Sequence, residues 1–135
     1  VTVMDMRVEC AEDCGNSPKK RLLKEWSVAA ARRDADFCAE WVTDDVVWDI
    51  AGDRRVRGKE ALALALRQRH DHEAAALRIE NIITHGNAGS VNGTLVLGDR
   101  REFAFCDVFR FSSGKASKIK AITSYVIELN PGGGS

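Results

Sequence analysis

The chain is 135 residues long, 44% hydrophobic and 30% charged, and its 20 Lys and Arg balance its 20 Asp and Glu. That length buries one core without staples, and the neutral balance argues against a nucleic-acid or anionic-membrane binder, which needs a basic surplus. Apolar runs such as Val28–Ala31 and Ala61–Leu66 are far too short to span a membrane, and aliphatic residues are too plentiful and evenly spread for disorder.

Residues 1–16 carry no sustained period and read as a mobile leader. Val1–Asn16 lacks the basic start and apolar block of a secretion signal, so the expected compartment is the cytoplasm. Cys10 and Cys14 stand at a spacing that zinc sites sometimes use. The sequence has no second pair at ligand spacing and no histidine near a cysteine. The expectation is four reduced thiols, no metal and no cofactor.

A domain is expected over 17–129. Ser17-Pro18 supplies an N-cap and a proline at the first helical position. Leu22, Leu23, Trp26, Ala29 and Ala30 then repeat at helical steps. Asp34 can cap a short second helix carrying Phe37, Cys38, Trp41 and Val42. Val46–Ile50 reads as a strand by its β-branched and aromatic content. Gly52–Gly58 reads as a charged connection, and Lys59–His72 as a third helix, although its Ala-Leu alternation also fits a strand. Leu77–His85, Ser90–Leu97, Arg101–Ser112 and Lys118–Glu128 are four strand candidates separated by glycine-bearing turns. Residues 130–135 read as a flexible tail. Helices gathered at the front and a meander at the back indicate an α+β fold, with three helices packed on one face of a curved antiparallel sheet.

The segment Phe103–Phe111 is the most informative. Alternation along a strand puts Phe103, Phe105, Asp107, Phe109 and Phe111 on one face. Four phenylalanines belong inside, so the Asp107 carboxyl is expected within an aromatic wall, where burial raises its pKa. It either donates a hydrogen bond as a neutral acid, or pairs with a buried arginine or caps a local backbone group. If Gly98-Asp99 is a two-residue turn, Thr94 opposes Phe103, Asn92 opposes Phe105 and Ser90 opposes Asp107, lining the same wall with small polar groups. A turn one residue longer reverses that parity. In the first strand, Asp49 shares a face with Val47 and Ala51, against Val46, Trp48 and Ile50.

The stretches TDDVVWDIAG, RGKEAL, CDVFRFSSG and KIKAITSY, in this order after two helices, resemble the SnoaL-like members of the NTF2-like superfamily over about residues 17–129. The resemblance implies a cone-shaped α+β barrel with a strongly bent sheet around a pocket, and a homodimer through the outer sheet face. Its relatives include ketosteroid isomerase and polyketide cyclases, epoxide hydrolases, and non-enzymatic transport factors. By comparison with the isomerase, Asp49 takes the place of the general base and Asp107 that of the protonated oxyanion donor. Trp26 stands where that enzyme has a tyrosine, and it also reads plainly as a core anchor. Ser124 stands where the epoxide hydrolase relatives place a water-activating aspartate. The three histidines, His70, His72 and His85, read as surface residues.

The expected function is binding of a hydrophobic cyclic ketone, polyketide or terpenoid-like compound. Asp49 and Asp107 would be catalytic in a proton transfer (isomerisation, cyclisation or dehydration). Trp26, Val47, Asn92, Thr94, Phe103, Phe105 and Phe109 would line the pocket. The alternative is a ligand- or partner-binding module without chemistry. The two part on whether both carboxylates reach one cavity.

Overall fold

A computed structural model describes residues 6–11, 16–69, 72–113 and 117–130. Cys14, His70 and the tail at 131–135 lie outside the described residues, as does most of the leader. In chain order the elements are β1 (Arg7–Cys10), α1 (Pro18–Ala31), α2 (Ala35–Glu40), β2 (Val42–Ile50) and β3 (Arg54–Arg57). They continue with α3 (Lys59–Arg67), β4 (Ala74–His85), β5 (Ala88–Leu97), β6 (Glu102–Phe111) and β7 (Ile119–Leu129).

Local chemistry sets the helix starts. The Ser17 hydroxyl accepts from the Lys20 N–H at 3.3 Å, and the Asp34 carboxylate accepts from the Phe37 N–H at 3.2 Å, each satisfying a donor that the first turn leaves unpaired. The apolar face of α1 seats Leu23 and Trp26 in the core with Val46, Leu62, Leu66, Phe109 and Ile122. Gly89 is the meeting point of helix and sheet: a Cβ there would stand 2.7 Å from Leu23 Cδ1.

The fold is α+β, with three helices on a mostly antiparallel sheet of order β1-β4-β5-β6-β7-β2-β3. The pairs β1–β4 and β2–β7 are parallel. The sheet is open, with β1 and β3 at its edges, so it bends without closing into a barrel. Bulges in β4 between Ala74 and Ala76 and between Ile79 and Asn81 contribute to the bend. Opposite the second bulge, Gly93 lets the two backbones meet: a Cβ on it would overlap the Arg78 carbonyl oxygen.

The structure departs from the sequence reading in four places. A four-residue strand, β1, lies inside the expected leader; its Arg-Val-Glu-Cys alternates, with Val8 and Cys10 half-buried against the core, but four residues are too few to stand out in the sequence. The charged connection contains β3, in which three of four residues are arginine and only Val56 is buried, as an edge strand permits. Cys10 is disulfide-bonded, so the expectation of four reduced thiols fails; its partner lies outside the described residues, while Cys38 and Cys106 are free.

The fourth departure is the β5–β6 turn, which has three residues. Arg100 N–H donates to Leu97 O and Leu97 N–H to Arg101 O, both at 2.9 Å, with Arg100 in the left-handed region at φ 76°. Asp99 holds the turn by accepting from the Arg101 N–H at 3.1 Å and from its Nε at 2.7 Å. The register becomes Leu95 to Phe103, Gly93 to Phe105 and Val91 to Asp107. This reverses the expected parity of β5. Among the described residues no helix is long and apolar enough to cross a membrane.

Candidate ligand-binding site

Asp107 lies on the inner face of β6 and is 8% exposed. Its Oδ1 has no hydrogen-bond partner among the described residues. Directly across the β6–β7 ladder is Ser124, itself buried. The Trp48 indole N–H donates to Ser124 Oγ at 2.9 Å, which leaves the serine's own proton for Asp107 or for a ligand. Burial raises the pKa of Asp107, against the opposing pull of the Arg69 charge and of hydrogen bonding from the Ser124 hydroxyl.

A cavity of about 440 Å³ opens beside this group, within the usual range for small-molecule sites. Trp48, Ile50, Leu95, Leu97, Phe103, Phe105 and Val126 form much of its apolar wall, with Ser124, Gln68, Arg69, Arg54, Arg101 and Asp53 as polar members. The Arg69 guanidinium stands 5.8 Å above the Trp48 ring. Behind the wall is a second space of about 20 Å³, bordered by Ser27, Leu77 and Asp107. Arg69, Leu95 and Phe105 border both spaces. Asp107 is therefore one layer behind the main cavity, and Ser124 and Arg69 are the polar groups between it and any occupant. Ser27 Oγ, like Asp107 Oδ1, is buried without a partner among the described residues, and their shared space is roughly the size of one water.

Of the residues singled out from the sequence, Phe103 and Phe105 line the main cavity and Asp107 stands behind it. Phe109 is fully buried in the core, edge-on to Trp26 at 5.5 Å. Trp26 does not border either space, and its indole N–H is committed to the Cys38 carbonyl at 3.1 Å. Asn92 and Thr94 face outward, because the longer turn shifts β5 by one residue. Asp49 and Val47 occupy the outer side of β2, since Trp48 and Ile50 take the inner one. Asp49 is 40% exposed and pairs with Arg55 at 3.3 Å, away from the cavity. It is not positioned as a base. Among the described residues no group of three or more His, Cys, Asp or Glu could hold a metal.

Residues 23–119 match the family model of SnoaL-like domains. This chain is a SnoaL-like domain. Its fold is shared with an NTF-2-like protein of unknown function from Burkholderia xenovorans LB400, at 23% identity and TM-score 0.68, covering 84% of this chain and 87% of that one. An LEH-like epoxide hydrolase from M. tuberculosis is similar at 25% identity and TM-score 0.64, covering 79% and 80%. A ketosteroid isomerase-like protein from Kribbella flavida DSM 17836 is similar at 14% identity and TM-score 0.68, covering 85% and 82%. No curated protein matches the chain.

The sequence reading placed none of the polar cavity residues of this SnoaL-like domain in the pocket, and Trp48, Ser124 and Arg69 are the three that bear most on the site. The alternation of β2 sets Trp48 on the face opposite Asp49, which is the inner one. Ser124 could have been found by pairing the last two strands, which brings it opposite Asp107. Arg69 follows the Gln68 cap of α3 and carries no local signal. Only the packing of α3 against β2 brings it over Trp48.

Proposed function

We propose that this SnoaL-like domain binds a largely hydrophobic cyclic compound in the 440 Å³ cavity, with a polar atom of the ligand at Ser124 and the neutral Asp107 carboxyl behind it. The observation that carries the reading is a buried carboxyl with an unpartnered oxygen, facing a serine in the cavity wall. A carboxyl that keeps its proton in an apolar site can donate to a ketone or alkoxide oxygen, directly or through a hydroxyl. The outer faces of β6 and β7 expose Val108, Tyr125 and Ile127, and this supports a homodimer through that side of the sheet.

A second reading, proton transfer leading to isomerisation, cyclisation or dehydration, is favoured by Asp53. With Asp49 on the outer face, Asp53 is the carboxylate that borders the main cavity. It would act as base, with Asp107 as acid. Proton NMR of tetralone in deuterium oxide separates the readings. Saturation transfer from protein to tetralone, with α-proton exchange no faster than in buffer, is the outcome for a binding domain. Accelerated exchange that disappears in Asp107→Asn would make it an enzyme. Absence of saturation transfer would remove the pocket reading altogether.

A further inference from the structure

The charge on the cavity wall narrows the class of ligand, provided the cavity is the ligand pocket proposed above. Three arginines, Arg54, Arg69 and Arg101, border it against one aspartate, Asp53. Arg101 is balanced by Asp99, 2.7 Å away. Arg54 and Arg69 make no ion pair among the described residues. Arg69 is the distinctive one. It is half-buried, held over the Trp48 indole, and borders both the main cavity and the small space in front of Asp107.

A half-buried guanidinium loses hydration, and the usual compensation is a carboxylate or phosphate that accepts from its fork of N–H donors. The nearest buried acid, Asp107, is pushed toward its neutral form by burial, against the pull of the Arg69 charge, and makes no ion pair with Arg69. The remaining donors at the site, Ser124 Oγ and the Gln68 amide, also suit an oxygen anion. The apolar wall of Trp48, Phe103, Phe105 and Leu95 suits a ring system.

We propose that the cavity selects an apolar ring compound bearing one carboxylate, whose anionic end is bound by Arg69 while the ring lies against Trp48, Phe103 and Phe105. Arg54 adds a second positive charge to the same cavity and favours entry of an anion. Neutral ketones of the same shape then bind as weaker analogues, because they leave Arg69 without a counter-charge.

Titration calorimetry with naphthaleneacetate and its neutral counterpart naphthaleneacetamide tests this on the whole chain. The wild type is expected to bind the carboxylate at least about tenfold more tightly than the amide. Added salt should shrink that preference. In Arg69→Gln the preference should vanish, the carboxylate losing far more affinity than the amide. Equal binding of the two compounds by the wild type overturns the inference and leaves the pocket reading standing. A preference that survives in Arg69→Gln overturns the assignment to Arg69. Binding of neither compound overturns the pocket reading and this one with it. The wild-type comparison alone decides the charge preference should Arg69→Gln fail to fold.

Discussion

At the scale of single residues, Asp107 carries both the chemical interest and a cost in stability. Its pKa is raised on folding, mainly by burial. The folded chain therefore keeps this proton over a pH range in which the unfolded chain has released it. Stability falls as pH rises from the unfolded value of about 3.9 through the raised folded value, and stays at the lower level beyond it. Asp107→Asn removes the titration. We expect it to be more stable than wild type at neutral pH by about 1–2 kcal/mol, with the advantage shrinking as the pH approaches 4, as measured by urea unfolding across that range. A variant less stable at neutral pH would mean that the ionised carboxylate is the favoured form. Asp107 was legible because four phenylalanines on alternate positions leave the fifth side chain of the set no choice of face. Asp49 was misjudged although its own parity pointed outward with Val47. The family pattern was allowed to outweigh the alternation, and alternation prevailed.

At the scale of elements, a single residue of turn length decided which half of β5 faces the core. The dipeptide Gly98-Asp99 suggested a two-residue turn, whereas the chain continues to Arg100, whose left-handed backbone is unusual for a residue with a side chain. What secures it is Asp99, bound to both the N–H and the guanidinium of Arg101, a local arrangement that turn statistics do not convey. On the other side of β5, the pairing with β4 places Gly93 opposite Ile79, at the edge of the β4 bulge. Gly93→Ala should therefore cost about 2–3 kcal/mol or more, read as a lowered urea midpoint, because the added methyl meets backbone and not a flexible side chain. An unchanged midpoint would show that β4 can shift away without loss. The helices, by contrast, were legible at their starts, since Ser17 and Asp34 act as caps through contacts only three residues long.

At the scale of the whole molecule, the order of helices and strands was sufficient to indicate the architecture, and the two strands missed are the two shortest. β1 pairs with β4, far along the chain, so nothing local announces it, whereas β3 forms a tight hairpin with β2 but reads as a charged stretch because three of its four residues are arginine. The outer sheet face gives a test of assembly. Tyr125 is 52% and Ile127 67% exposed on the side of β7 opposite the cavity. Light scattering should give twice the chain mass for the wild type, and Tyr125→Glu should dissociate it while leaving tetralone binding intact. A monomeric wild type would dispose of the dimer.

The open edges of the sheet bear on how the chain behaves in a crowd. An uncovered strand edge is a template on which another molecule can polymerise. Here each edge is only four residues long, and β3 presents arginines to anything that approaches it. On the other side, β1 pairs with Ala76–Ile79 of β4, a twelve-residue strand rich in alanine and isoleucine. A nick or truncation that frees β1 would leave this edge of β4 without β1 along its whole length, long enough to seed fibres, so four residues near the start of the chain interrupt a surface prone to self-association of the wrong kind.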